Sequence, residues 1–188
     1  MTAGRGARVG SLVLAPLVAA FVVLAAGTPA ASADPTVLSD PNDATGLDIS
    51  QVTLAADVPP PVWTIRTFRA WTIHKLWDRG YFYVELDTSG TDAPEYRALV
   101  RSDGRKMLGA LYRIQPTGPD VKVGNLRAHK LNSRSVAVRI PLSKLMFGPD
   151  RTAYRWDVLT SFLSSKCSGG TCFDRAPDQG TVKQPLPS

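Results

Sequence analysis

Residues 81–88 alternate sides at every step: Phe82, Val84 and Leu86 fall on one face, Tyr81, Tyr83 and Glu85 on the other. A period of two marks a half-buried β-strand. The same rhythm returns in residues 47–54, 62–68, 96–102, 107–115, 121–129, 135–140 and 154–162. In the last of these Tyr154, Trp156 and Val158 share a face. Turn-forming clusters separate the segments, among them Pro59-Pro60-Pro61, Ser89-Gly90-Thr91-Asp92 and Asp103-Gly104. The Asp-Gly pair favours a tight hairpin turn. Helical periodicity is confined to a turn or so at 71–77 and 142–145. The pattern predicts an all-β chain of about eight strands with little helix, built as a β-sandwich or small barrel.

A different kind of sequence precedes these segments. Arg5 and Arg8 lead into an apolar run over 12–26, and Ala31-Ser32-Ala33 offers the small-x-small pattern a signal peptidase accepts. The run is shorter than the roughly 20 residues that span a bilayer, and Pro16 interrupts it. Residues 1–33 therefore read as a secretory signal peptide and 34–180 as one β-sandwich domain. Residues 181–188, with Pro185 and Pro187, read as an extended or disordered tail. No second apolar run follows, so the mature chain is expected to be secreted and free of membrane. Cys167 and Cys172 are the only cysteines. In an exported protein they are expected to form a disulfide, with Gly169-Gly170 permitting the tight ring.

Charge is unevenly spread. Without Arg5 and Arg8 the formal charge falls from +6 to +4. Residues 34–60 hold five aspartates and no Lys or Arg, whereas 101–144 hold ten Lys or Arg against Asp103 and Asp120. The basic stretch, with Arg101, Arg105, Lys106, Arg113, Lys122, Arg127, Lys130, Arg134 and Arg139, reads first as a solvated face. Its second reading is a patch for an anionic cell-wall polymer. Nucleic acid is not an expected partner.

The acidic stretch carries sharper chemistry. In Asp40-Pro41-Asn42-Asp43-Ala44-Thr45-Gly46-Leu47-Asp48-Ile49, three carboxylates and a carboxamide crowd into a short span without a neighbouring cation. Crowded carboxylates repel unless a cation neutralises them, and hard oxygen donors suit calcium. The EF-hand spacing does not fit, because Ala44 and Gln51 occupy its fifth and twelfth positions. Further ligands must come from elsewhere, and Asp174 and Asp178 are candidates. The competing reading is that these aspartates only cap turns.

At these residues the chain resembles extracellular β-sandwiches related to family-nine carbohydrate-binding modules, the DOMON-like domains and the C-terminal domain of glucodextranase. The likeness rests on Asp40-Pro41-Asn42-Asp43 with Gly46-Leu47-Asp48-Ile49 and Val52, on Tyr154-Arg155-Trp156-Asp157-Val158, and on Ala176-Pro177-Asp178 with Gly180. It implies a jelly-roll-like antiparallel sandwich with a structural calcium held by Asp40, Asp43, Asp48 and Asp178. It also implies a sugar-binding or accessory role, in exported proteins of the actinobacterial type.

Sugar-binding sandwiches present aromatic rings to pyranose faces. Trp63 alternates with Ile65 and so reads as core, as does Trp156. Trp71 and Trp77 stand in an irregular stretch and are ambiguous. Tyr81, Tyr83 and Glu85 share an outer face and are the candidate ligand-binding residues. Signatures of catalysis do not occur: His74 and His129 lack metal-ligand spacing, and no nucleophile elbow, phosphate loop or dinucleotide fingerprint is present. The chain is therefore expected to be a non-catalytic binding or accessory module. The alternative is a structural or inhibitor-like interaction domain without a sugar ligand.

Overall fold

The computed structural model describes residues 34–187. The signal peptide read at 1–33 lies outside the described residues. The strands are β1 (Thr36–Ser39), β2 (Ile49–Ala55), β3 (Val62–Thr67), β4 (Gly80–Asp87), β5 (Tyr96–Ser102), β6 (Met107–Arg113), β7 (Val121–Lys130), β8 (Ser135–Arg139), β9 (Ala153–Leu163), β10 (Thr171–Ala176) and β11 (Val182–Pro185). Among the described residues, helix is limited to α1 (Ile73–Leu76), capped by Thr72, and short 3₁₀ turns at Leu142–Lys144 and Ser168–Gly170. All eight segments with two-residue periodicity are strands. β1, β10 and β11 are additional, and the last is formed by the segment read as a tail.

Pairing is antiparallel throughout, in the order β1-β2-β3-β8-β7-β6-β5-β4-β9-β10, with β11 also on β9. The long strand β7 joins the two layers: Val121 to Leu126 pair with β6, and Arg127 to Lys130 pair with β8. The sheet thus wraps until it nearly closes into a barrel. Its interior takes the apolar face of each strand, with Ile49, Val52, Leu54, Trp63, Ile65, Phe82, Val84, Leu86, Trp156 and Val158 essentially inaccessible. Trp63 from one layer meets Trp156 edge-on, with ring centroids 6.3 Å apart and planes at 86°. Each such side chain contributes about 1.5–3 kcal/mol of burial. Ile49 and Val52 both face inward although three residues apart, which strict alternation forbids. A bulge between Ile49 and Gln51 absorbs the extra residue. Of the two ambiguous tryptophans, Trp71 is buried beneath Lys130, whose ammonium lies 4.6 Å from its ring, and Trp77 is half exposed.

The edges of the wrapped sheet meet along a seam without a continuous backbone ladder. Side chains bridge it. Thr36 Oγ1 donates to Gln184 Oε1 at 3.0 Å, and Thr160 Oγ1 donates to the Leu47 carbonyl at 2.7 Å. The Cys167–Cys172 disulfide, with Cα atoms 5.2 Å apart, also abuts it. Thr45 Oγ1 lies 2.9 and 3.0 Å from the two sulfurs. On the far side of β9, β10 and β11 continue one another and are interrupted opposite Asp157 by the excursion 177–181.

Candidate metal centre

Four carboxylates converge on the seam. Asp40 follows β1, Asp43 lies in the loop leading to β2, Asp174 belongs to β10, and Asp178 stands in the excursion between β10 and β11. One carboxylate oxygen from each lies within 4.8 Å of the others. The acidic stretch 40–48 and the acids at 174–178 therefore meet in space, and both Asp174 and Asp178 take part. Asp48 falls outside this group of four. It sits one residue before β2, fully enclosed, and acts on Asp40 and Asp174 through its charge.

Little in the protein compensates these charges. Among the described residues none of the five aspartates forms an ion pair. Asp174 fares best: its Oδ2 accepts from the Ile49 N–H at 2.5 Å and its Oδ1 from the Arg175 N–H at 2.8 Å. Asp40 is only 8 % exposed, and its buried Oδ2 accepts nothing. Both oxygens of Asp48 are likewise buried and outside ideal hydrogen-bond geometry, although the Ala44 and Asp43 amides and the Arg69 charge favour its ionised form. Two like charges about 4 Å apart repel by roughly 4 kcal/mol at a protein-like effective dielectric. Burial and the neighbouring carboxylates of Asp174, Asp178, Asp43 and Asp48 push the Asp40 carboxyl up to about 7. Burial pushes Asp174 up to about 6 against its two amide hydrogen bonds, and burial also raises Asp48. A group of all-oxygen donors with orphaned buried atoms has the composition of a hard-cation site.

The outer face of β4 carries a second set of buried acids. Tyr81, Tyr83 and Glu85 do share this face, and the two tyrosine rings stack with centroids 6.3 Å apart. Glu85 stands opposite Arg97 on β5 and Asp157 on β9. Arg97 donates through Nε and Nη2 to Glu85 Oε1 at 3.0 and 2.8 Å, and its guanidinium lies 5.7 Å from the Tyr83 ring centre. Arg175 Nη2 bridges Glu85 Oε2 at 3.2 Å and Asp157 Oδ2 at 2.6 Å. Burial pushes Asp157 up to about 6, opposed by Arg175. The network floors a cleft of about 570 Å³ that Asp87, Arg155 and Lys183 also line.

Sequence reasoning did not single out Asp157, Arg97 or Arg175. The signal was available for one of them, since Tyr154, Trp156 and Val158 facing inward put Asp157 outward beside Glu85. The pairing of Arg97 and Arg175 with these acids depends on strand neighbours far apart in sequence. No protein-family model, no curated protein and no solved structure matches this chain.

Proposed function

We propose that the mature chain is a secreted, non-catalytic binding or accessory module, tied along its barrel seam by a calcium ion and binding cell-envelope carbohydrate on its outer sheet face. One observation carries the calcium reading: carboxylates from the 40–43 and 174–178 regions meet without an ion-paired Lys or Arg, and the buried Oδ2 of Asp40 accepts no hydrogen bond. Calcium takes six to eight oxygens in flexible geometry, whereas zinc favours nitrogen and sulfur, and neither histidine belongs to the group. Asp40, Asp43, Asp174 and Asp178 would hold the ion. Asp48 would lend charge from just outside.

The sugar reading is supported by the stacked Tyr81 and Tyr83 on an uncovered face and by the resemblance to carbohydrate-binding sandwiches. Glu85, with both oxygens engaged, positions Arg97 against Tyr83 rather than meeting a ligand directly. Calorimetric titration of calcium into the chelator-treated mature chain is expected to release heat. At a hundred-fold excess over Kd the ion adds about 2.7 kcal/mol, a rise in Tm of roughly 5–10 °C for a domain of this size. No heat and no rise would end the calcium reading. On a glycan array, Tyr83→Ala is expected to abolish the binding seen with the wild type. Silence of the wild type itself would favour an interaction domain without a sugar ligand.

A further inference from the structure

The outer face beyond Tyr83 carries a groove that the sheet register builds. Leu99 on β5 stands opposite Ala110 on β6, and Arg101 opposite Leu108. On the other side of β6, Ala110 stands opposite Asn125 and Tyr112 opposite Lys122 on β7. A strip of half-buried Leu99, Leu108, Ala110 and Tyr112 therefore runs along β6, flanked by exposed Arg101, Lys106, Lys122 and Arg127. Together they line a depression of about 500 Å³. At about 3.3 Å per residue, the stretch from Lys106 to Tyr112 is roughly 20 Å long, room for several sugar rings.

No carboxylate lines this groove. Its four cations form no ion pair among the described residues, whereas Arg97, one strand row away, is paired with Glu85 and Asp120. The basic stretch is thus not a uniformly solvated face: its charges gather around an apolar floor without ion pairs among the described residues, although the Asp103 carboxylate acts on Lys106. A neutral glycan would use the floor and leave the cations unanswered. A single-stranded nucleic acid would need successive exposed rings to stack its bases, and the floor offers one, Tyr112.

We infer that the β5–β6–β7 groove binds an acidic polysaccharide, its pyranose faces lying on Leu99, Leu108, Ala110 and Tyr112 and its uronate carboxylates meeting Arg101, Lys106, Lys122 and Arg127. This rests on the carbohydrate-binding reading and names the ligand class for it. Guanidinium groups engage carboxylates through two parallel hydrogen bonds, and the lysines act as point charges.

The test titrates the mature chain with hyaluronan fragments, neutral dextran and a single-stranded oligodeoxynucleotide. Hyaluronan is expected to bind at least about ten-fold more tightly than the other two and to weaken as salt is raised. The double variant Lys122→Gln/Arg127→Gln is expected to lose about ten-fold or more in affinity. Arg113→Gln, which removes a charge outside the groove, is expected to retain binding. Dextran binding equally well, the oligonucleotide binding as tightly, or an unaffected double variant would each overturn the assignment. Calcium titration of the same samples separates the two proposals. A lost calcium response with intact hyaluronan binding sinks only the ion, and the reverse sinks only the groove.

Discussion

Asp174 and Arg175 are neighbours on β10, yet they serve opposite faces and two contrasting groups of acids. On the outer face, buried Glu85 and Asp157 are paired with the partly exposed Arg97 and Arg175, so the protein supplies its own counter-charge. On the seam, Asp40, Asp43, Asp174 and Asp178 are gathered with no such partner. Burying a charge is costly in either place. The first group is neutral as the chain folds, with only Asp157 Oδ1 of its carboxylate oxygens buried and unpartnered, whereas the second reaches neutrality only with protons or an added cation. That difference, more than the count of aspartates, separates a structural ion-pair network from a candidate ion site.

The largest effect expected from breaking this contrast is on the outer face. Arg175→Met strands the buried Asp157, while Glu85 keeps its bonds from Arg97, and should lower stability by about 3 kcal/mol in urea unfolding, with calcium-dependent stabilisation intact. Asp40→Asn should act in the opposite sense. Calcium-dependent stabilisation, about 2.7 kcal/mol at a hundred-fold excess over Kd, should vanish from its thermal melts. The ion-free form should be unchanged or gain about 1 kcal/mol, because one repelling charge is gone. If Asp40→Asn destabilised the ion-free chain as severely as Arg175→Met, the two groups would not differ in kind.

The smallest effect is on pH dependence, and its sign is fixed by the direction of the shifts. Asp40 and Asp174 are pushed up to about 7 and about 6 in the fold, against an ordinary value of 3.8 for a free aspartate. Protons are thus held more tightly by the folded state. The stability these groups contribute is complete below about pH 4 and is lost as pH rises through 6 and 7. Chelator-treated protein should therefore weaken over that range. With saturating calcium the loss should shrink or reverse, because the ion replaces the protons. Asp157 also titrates high, at about 6, so a residual slope up to that pH should remain whether or not calcium is added. Equal slopes with and without calcium in pH-resolved unfolding would remove the seam from the explanation.

Much of the fold was legible because the eight strands bury alternate apolar residues, even though β5, β6 and β7 also carry Leu99, Leu108, Val121 and Val123 on the outer face. β10 escaped because its inward positions are Cys172, Asp174 and Ala176: a buried carboxylate stands where an apolar side chain would have announced a strand. β11 escaped because its prolines suggested a free tail, although Val182 to Pro185 pair with β9 at a sheet edge, where a missing N–H is tolerated. The convergence of the two acidic regions was legible from charge crowding alone. The place of Asp48 was not. The bulge just after Ile49 breaks the alternation that would have assigned it a side, and Asp48 ends up enclosed next to the group rather than within it. The arginines of the outer face could not be read from sequence, since Glu85, Arg97, Asp157 and Arg175 meet only through the order of the strands.

The seam also decides how the molecule meets mechanical load. Thr36 and Gln184 touch across it, so a chain tethered by both ends transmits tension straight to the line where the barrel lacks a continuous ladder. Short edge strands would peel there first, and the aspartates lie just behind them. A bound ion at that point would work as a latch, setting the force at which the shell springs open.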